Sequence, residues 1–383
     1  MICIKNGTVY NAVTPEGVVA DILVENGKIK EIGPNLSVGA EVEIIDATGK
    51  QVYPGFVEAH GHIGLDGYGI GYEGMDYNEM NDIVSPQLRG LDGVKAMDPA
   101  FAQAARAGVT CVCVGPGSAN VLGGTFTTIK TVGKRSDDMV VRDAVAMKCA
   151  FGENPKVCYR DKGNCTRMTT AYQLRNMLFK AKEYAAKIES AGDDISKRPP
   201  FDMKLEALLP VIRKEMPLKA HTHATDDIFA AIRIAKEFDV KLTLEHVTEG
   251  HLIVEELVQE NYPMAVGPGL IGASKFELRN KSWTTPGVLA KAGGQVSIVT
   301  DAPVVPQEYL PLCAGLAVKA GMDRFAALQA ITINAAKHIG VSDRVGSIEI
   351  GKDADIVVTD GDPMNLTTAV KYVFVDGKCV VKQ

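Results

Sequence analysis

Short apolar runs alternate with turn residues at both ends of the chain, which is the pattern of small β-strands. The runs near the N-terminus are 2–6, 8–10, 18–24, 28–32 and 42–46, and those near the C-terminus lie within 354–359 and 370–381. Asn26-Gly27 and Asp376-Gly377 indicate tight hairpins, because such pairs accept positive φ angles. We expect residues 1–53 and 345–383 to form one small β-sandwich domain built from both chain ends.

Between these ends, apolar runs of strand length alternate with stretches that repeat apolar residues at i, i+3 and i+4. The eight candidate strands are 52–58, 109–114, 126–132, 144–150, 218–221, 241–245, 264–266 and 295–300. The main candidate helices are 99–107, 169–189, 224–238, 250–260 and 323–339. Strands that alternate with helices indicate parallel pairing through crossovers. The pattern therefore predicts an α/β fold in which residues 54–344 form a TIM-like (β/α)8 barrel, with an open doubly wound sheet as the alternative.

The composition narrows the class of protein. The 383 residues are too many for one ordinary core, and they carry 46% hydrophobic residues and a formal net charge of -6. This acidic balance, without a basic patch, argues against nucleic-acid binding. We find no secretion signal and no apolar run of membrane-spanning length, and the eight cysteines are scattered. We therefore expect a cytoplasmic protein with free thiols, no membrane partner and a small-molecule substrate.

Two histidines one residue apart end the first candidate barrel strand. His60 and His62 follow the apolar run 52–57. On an extended backbone, residues i and i+2 point to the same side, so both imidazoles can reach one metal ion. The carboxyl end of a barrel strand is also where barrel enzymes hold their chemistry. The alternative is a pair of unrelated surface histidines.

Other ligand-capable side chains fall at the ends of later candidate strands. They are Lys148 after the fourth strand, His221 and His223 after the fifth, His246 after the sixth and Asp301 after the eighth. Imidazole and carboxylate groups suit zinc and related divalent ions, and a catalytic site keeps one position open for water. The set could hold one ion or two. A bound ion lowers the pKa of its water, and we expect Asp301 to be the base that deprotonates it.

The order and spacing of these groups resemble the metal centre of the amidohydrolase superfamily. Flanking segments agree with the resemblance: Pro-Gly-Phe-Val at 54–57, the run 331–337 and the glycine-rich return 346–355. The imidazolonepropionase-related subgroup, which includes prolidase-like dipeptidases, is the most similar. The resemblance implies that the metal ligands are His60, His62, His221, His246 and Asp301.

In binuclear members of that superfamily, a carboxylated lysine or a glutamate from strand four joins the two ions. Lys148 occupies the matching place here, and Glu153 just beyond the same strand is the rival bridging ligand. Lys148 could also be an ordinary lysine at a strand end. Carboxylation requires a neutral amine, which burial favours. The sequence leaves both candidates open.

Three functions fit the resemblance. The first is hydrolysis of a C–N bond in an amide, cyclic amide or dipeptide. The second is deamination of a heterocycle, but that chemistry usually uses a glutamate three residues after the strand-five histidine, where this chain has Ala224. The third is a non-catalytic relative that acts as an oligomeric interaction protein, although every expected ligand position holds a ligand-capable side chain. Relatives are often oligomers, so the resemblance also implies a homo-oligomer.

The residues that contact the substrate are the hardest to identify from the sequence. Tyr68 and Tyr72 lie in the Gly-rich, acidic loop 64–97, which would cover the site as a lid if it follows the first barrel strand. Arg279, with Lys281 and Trp283, lies in the loop after strand seven. Each of these residues is a candidate substrate contact or else a solvated loop residue. His223 is a candidate catalytic contact in the pocket, or else a cap of the following helix.

Overall fold

The computed structural model describes residues 1–69 and 71–383. Its strands are β1 Ile2–Val9, β2 Val18–Glu25, β3 Lys28–Gly33, β4 Glu43–Asp46, β5 Gln51–Pro54, β6 Phe56–Gly61, β7 Val109–Val114, β8 Leu122–Lys130, β9 Val140–Ala150, β10 Leu218–Thr222, β11 Leu242–His246, β12 Met264–Val266, β13 Val296–Ile298, β14 Ile356–Thr359, β15 Val370–Val375 and β16 Lys378–Lys382. Its α-helices are α1 Gly90–Gly93, α2 Pro99–Arg106, α3 Ser136–Met139, α4 Glu153–Cys158, α5 Arg167–Ala191, α6 Met203–Ile212, α7 Thr225–Phe238, α8 Val254–Glu260, α9 Thr285–Lys291, α10 Leu310–Lys319, α11 Arg324–Ala330 and α12 Ile333–His338.

Strands β6 to β13 form one eight-stranded sheet, each strand pairing with the next in chain order. The two end strands are joined by the buried carboxylate of Glu58. It accepts hydrogen bonds from the Thr300 backbone N at 2.9 Å and from Gln307 Nε2 at 2.8 Å. This contact brings β6 beside the end of β13 and nearly closes the sheet. The predicted barrel is confirmed.

One strand runs against the predicted direction. Strand β8 pairs antiparallel with both β7 and β9, whereas the other neighbouring pairs in this sheet are parallel. The expectation of eight parallel strands is therefore wrong at the third position. The connection from β7 to β8 is residues 115–121, which is too short for the crossover that a parallel pair needs.

The first predicted barrel strand, 52–58, is divided between two sheets. Its first part is in β5, which pairs with β1 and β14 in the second sheet, and its second part is in β6 of the barrel. Gly55 separates them and packs against the barrel, since a Cβ atom at this position would lie 2.1 Å from Thr110 Oγ1. A larger residue would push the two sheets apart.

The second sheet combines both chain ends, as predicted. Its strand order is β16-β15-β14-β5-β1-β2-β3, and β4 pairs with β1. A fully buried apolar cluster unites the two halves, with Ile4, Ile22 and Val52 from the first end and Ile356 and Phe374 from the second. Burial of these side chains is the main stabilising contribution to this sheet.

The predicted helices are present with two changes. The expected helix 250–260 begins with a 3-10 turn, Gly250–Leu252, before α8, and the expected helix 323–339 is divided into α11 and α12 at Ile331 and Thr332. The hydroxyl of Thr332 donates to the Leu328 carbonyl, which ends the first of these two helices. Across the described part of the chain, we find no helix with the length and apolarity that a bilayer crossing requires.

A buried ion cluster connects the barrel to the second sheet. Lys130, at the end of β8, lies 3.0 Å from a carboxylate oxygen of Asp353, 2.8 Å from Asp355 and 3.0 Å from Asp376. Burial lowers the pKa of the Lys130 ammonium, but the carboxylates raise it more, so its net pKa is above the ordinary value. The lysine is thus held charged at the junction of the two sheets.

Candidate metal centre

The carboxyl ends of the parallel barrel strands bring the predicted ligands together. His60 is on β6, Lys148 on β9, His221 on β10 and His246 on β11, while Asp301 follows β13. Two groups of donor atoms are each compact enough to hold an ion: His60, His62 and Asp301 in one, and His221, His223 and His246 in the other. The rings of His60 and His246 are 5.0 Å apart, so the two groups are adjacent.

In the first group, hydrogen bonds fix which ring nitrogen faces the pocket. His62 Nδ1 lies 2.8 Å from the Gly115 carbonyl oxygen, which can only accept, so this nitrogen carries the proton. The other ring nitrogen, Nε2, faces Asp301 Oδ1 at 3.2 Å. In the neutral imidazole this nitrogen is a lone pair, so a cation between it and the carboxylate would satisfy both atoms. This arrangement fits a metal ion.

The second group has the same kind of arrangement. His246 Nδ1 donates to the Gly267 carbonyl at 2.9 Å, so its Nε2 is also a lone pair. Among the described residues, neither His246 Nε2 nor Asp301 Oδ1 has a hydrogen-bond partner, although both atoms are buried. Nδ1 of His221 lies 2.8 Å from the Ser118 hydroxyl, and that of His223 lies 2.7 Å from the Thr248 hydroxyl. Buried, unpartnered donor atoms of this kind fit a metal ion as their partner.

Burial keeps the imidazoles in the neutral form that binds metals. It lowers the pKa of His60, His221 and His223 well below the ordinary value, and that of His246 to about 4. Burial raises the pKa of Asp301, but the neighbouring histidines lower it more, so this carboxyl is ionised at neutral pH. Neutral imidazoles beside an ionised carboxylate form the donor set that zinc prefers.

Two of these residues have strained backbone angles, which determine where their side chains point. His246 and Asp301 have φ angles of 75° and 54°, a region that residues with a Cβ rarely adopt. In a regular strand, Glu245 and His246 would point to opposite faces. The positive φ of His246 turns its ring toward His60, while Glu245 still points into the barrel and contacts the same ring.

Glu245 is a site residue that the sequence reasoning missed. Its carboxylate accepts a hydrogen bond from His60 Nδ1 at 3.0 Å, from Lys219 Nζ at 2.9 Å and from His338 Nε2 at 2.8 Å. The first of these bonds leaves His60 Nε2 free to face the pocket. The ring of His338 is buried as well, so this contact lies in the interior of the molecule. The available signal was the period-two spacing of Thr243 and Glu245 on an inward-facing strand.

Lys148 and Glu153 lie in different surroundings. Lys148 is fully buried, and its Nζ is 3.1 Å from His60 Nε2. Burial lowers the pKa of Lys148 to about 8, which brings the neutral amine within reach near neutral pH. Glu153 instead begins α4, and its Oε2 accepts from the Glu277 backbone N at 3.4 Å.

Glu277 is a second acid that the sequence reasoning missed. It lies in the 3-10 turn Phe276–Leu278 after β12 and is 1% exposed. Its Oε1 is 3.2 Å from His221 Nε2 and 3.6 Å from His223 Nε2. The pattern of apolar positions gives no signal for it, because the loop that carries it has no regular period.

Tyr68, Tyr72 and Arg279, which are predicted substrate contacts, differ in their surroundings. The side chain of Tyr72 is 90% exposed and that of Tyr68 is 46% exposed. Arg279 stacks on Phe276, with its guanidinium 4.0 Å from the ring centroid. An aromatic residue of the same Gly-rich loop, Tyr77, does reach the site, with its ring 5.6 Å from that of His62.

A narrow cavity opens beside the second group. It is lined by His246, Thr248 and Pro268 on one side and by Lys281 and Trp283 on the other. Lys281 and Trp283 are both among the residues predicted to line the pocket, and they lie in the same loop as Arg279. With a volume of about 30 Å³, the cavity has room for a water molecule next to the second group.

Comparisons with known proteins agree with this geometry. The model of the amidohydrolase family matches residues 51–380. A crystal structure described as an amidohydrolase from Thermotoga maritima MSB8 aligns over 100% of both chains, with a TM-score of 0.96 and 40% sequence identity. The described strands and the ligand positions thus lie on a backbone that is shared with a solved structure.

Two curated relatives match most of the chain. Amidohydrolase tasK from Hapsidospora irregularis is 29% identical over 391 residues, which cover 94% of this chain and 39% of that protein. An imidazolonepropionase from Geobacillus sp. (strain WCH70) is 25% identical over 373 residues, which cover 88% of this chain and 83% of that protein. The chain therefore spans less than half the length of the first relative.

Proposed function

Because this chain belongs to the amidohydrolase family, we propose that it is a metal-dependent hydrolase that cleaves a C–N bond of an amide, a cyclic amide or a dipeptide. The resemblance stated from the ligand pattern is confirmed at the level of the family, and the imidazolonepropionase match supports the subgroup. One observation carries the proposal: His62 Nε2 and Asp301 Oδ1 face each other at 3.2 Å, and among the described residues the buried atoms Asp301 Oδ1 and His246 Nε2 have no hydrogen-bond partner.

The proposed ligands are His60, His62, His221, His246 and Asp301, with zinc as the ion. A divalent cation held there polarises a carbonyl group and lowers the pKa of a water molecule. The neutral imidazoles and the ionised carboxylate support this choice, because hard cations such as Mg²⁺ prefer oxygen ligands alone. Either one ion or two adjacent ions would satisfy the two groups of donor atoms.

Asp301 moves the proton in this proposal. Its carboxylate is ionised and has an unpartnered oxygen, so it can take a proton from the attacking water. It then delivers that proton to the leaving nitrogen, since an amine leaves far more readily than an amide anion. His223 lies in the same pocket and is the candidate for a contact with the polarised carbonyl oxygen.

Lys148 is the proposed bridge if two ions bind. Its amine lies beside the pocket-facing nitrogen of His60, whereas Glu153 contacts the backbone of the loop after β12. A carboxylated lysine supplies two oxygens on a long side chain, which suits a position between the two groups of donor atoms. Lys148→Ala is expected to reduce the bound metal to one equivalent or fewer, and Glu153→Gln to leave it unchanged.

The test combines metal analysis with a substrate panel. The purified protein is analysed for bound metals and then assayed on dipeptides, N-acyl amino acids, lactams and imidazolone acids. We expect one or two equivalents of a divalent metal and turnover of at least one substrate class. Turnover should be lost on chelation and restored by zinc.

The controls separate the alternatives. His246→Asn should lose metal and activity together, whereas His251→Asn should keep both, since His251 contacts the Thr285 hydroxyl outside the two groups. Ammonia release from heterocycles, without hydrolysis of the panel, would replace the proposal with a deaminase. A folded protein that binds no divalent metal would contradict the proposal and favour the non-catalytic relative.

A further inference from the structure

A carboxylate from the loop after β12 lies against both histidines of β10 and its following turn. Glu277 Oε1 is 3.2 Å from His221 Nε2 and 3.6 Å from His223 Nε2. The side chains of all three residues are at most 3% exposed. No ligand role is implied for Glu277 by the resemblance described above, in which the ligands come from other strands.

We propose that Glu277 is a further ligand of the divalent cation held by the second group of donor atoms. Ligand atoms about 2.1 Å from a tetrahedral ion lie about 3.4 Å from one another. The two distances from Glu277 Oε1 to the imidazole nitrogens bracket that value. The inference rests on the proposed function, since it adds a carboxylate donor beside His221 to the same metal centre.

The other partners of Glu277 leave room for this role. Lys275 Nζ lies 2.6 Å from Oε1, and the Glu153 backbone N donates to Oε2 at 3.0 Å. A carboxylate has about four lone-pair directions, so these two contacts do not exhaust it. Lys275 also holds Asn154 Oδ1 at 3.2 Å, which fixes the ammonium on the side of the loop. These contacts orient the carboxylate before a cation arrives.

The backbone around Glu277 is shaped to admit its carboxylate. A Cβ atom at Gly152 would lie 2.5 Å from Glu277 Oε2, and this glycine has a φ of +78°. Any side chain at position 152 would therefore displace the carboxylate from the two imidazoles. Gly152 lies two residues after the end of β9, so the close contact between Gly152 and the Glu277 carboxylate is positioned by a barrel strand.

Metal affinity, measured without reference to turnover, tests the proposal. Chelator-stripped protein is titrated with Zn²⁺ and with Co²⁺, with the absorption spectrum of Co²⁺ as a second readout. We expect Glu277→Gln to weaken one binding equivalent about tenfold or more and to change the Co²⁺ spectrum. Glu256→Gln, a matched change in an exposed acid on α8, should leave both readouts at the wild-type values.

A second variant separates a ligand from a nearby charge. Glu277→Asp keeps the charge but withdraws the oxygens by one methylene, so it should also weaken metal binding. If Glu277→Gln does not fold, the test is made with Glu277→Asp. Wild-type affinity and spectrum in either folded variant would overturn the ligand role. If the wild-type protein itself binds no divalent cation, the proposed function fails first, and the two failures are thereby distinguished.

Discussion

At the scale of single residues, Asp301 is positioned for two tasks at once. One carboxylate oxygen faces His62 Nε2 at 3.2 Å, and the backbone φ of 54° at Asp301 directs the side chain there. We predict that Asp301→Asn lowers kcat by about 10²- to 10⁴-fold, because the amide cannot accept the proton of the attacking water. Steady-state kinetics of the metal-loaded variant measure this.

The matched control for this prediction is Asp226→Asn, an exposed change at the start of α7. It should keep wild-type kinetics. Thermal unfolding of both variants checks that the fold is intact. If Asp301→Asn retains near-normal kcat, Asp301 has no part in moving the proton.

Glu245 acts on the pocket through His60. Its carboxylate accepts the Nδ1 proton of that ring and is itself paired with Lys219 and His338. We predict that Glu245→Gln weakens metal binding by about 10- to 100-fold, because the neutral amide no longer fixes the ring orientation or its basicity. Competition with a calibrated chelator measures the affinity.

The exposed change Glu256→Gln on α8 is the control for Glu245 and should leave the affinity unaltered. Glu245→Gln should also lower the unfolding temperature, since Lys219 is buried and loses its counter-ion. Unchanged metal affinity in the Glu245→Gln variant would show that His60 needs no orienting partner.

The site residues that could be predicted from the sequence and those that could not differ in the kind of element that carries them. His60, His62, His221 and Asp301 end apolar strands, so their positions could be inferred from the strand pattern alone. Glu277 sits in an irregular loop, and its nearness to the histidines depends on how that loop folds back. No local pattern encodes such a return, so the residue could not be predicted.

At the scale of elements, the direction of β8 was available in the sequence but was not used. The residue pattern predicts strands at 109–114 and 126–132, but it does not indicate their direction. The separation of the strands does indicate it, since residues 115–121 cannot form a crossover connection. Connection length should therefore be read together with periodicity.

The division of 52–58 was harder to predict. Both halves are buried and apolar, and only Gly55 marks the change of sheet. A single glycine within a strand pattern is consistent with a bulge, a bend or a close backbone approach. Here the approach of Thr110 from β7 decides the outcome, and that contact is between residues far apart in sequence.

The contact between β8 and the second sheet depends on Lys130. We predict that Lys130→Met destabilises the protein by about 3 to 5 kcal/mol at pH 7, because Asp355 is left buried without its cation. Asp353 keeps Lys28 and Arg344 as partners, so the loss falls mainly on Asp355. Urea unfolding measures the difference in the free energy of unfolding.

The same variant has a predicted pH dependence. Burial already raises the pKa of Asp355 above its ordinary value, with Lys130 opposing this, and removal of the lysine raises it further. The folded variant therefore takes up a proton, as the pH falls, before the unfolded chain does. The destabilisation should shrink between pH 7 and pH 5. Lys134→Met, an exposed control, should show no such trend, and a penalty independent of pH would contradict the charge argument.

At the scale of the whole molecule, the chain assembles one pocket from segments far apart in sequence. His60 and Asp301 are 241 positions apart, yet β6 and the end of β13 are neighbours because the sheet nearly closes. The Glu58 contact with Thr300 holds that closure directly beneath the pocket. The closure of the barrel thus brings the candidate metal ligands together. The second sheet packs against the barrel and contributes none of these ligands.

The most direct test of this account is anomalous diffraction from crystals of the zinc-loaded protein. We predict one or two peaks within coordination distance, about 2.0 to 2.2 Å, of ligand atoms drawn from His60, His62, His221, His246 and Asp301. Fully occupied zinc elsewhere in the molecule, with no peak among these residues, would contradict the account.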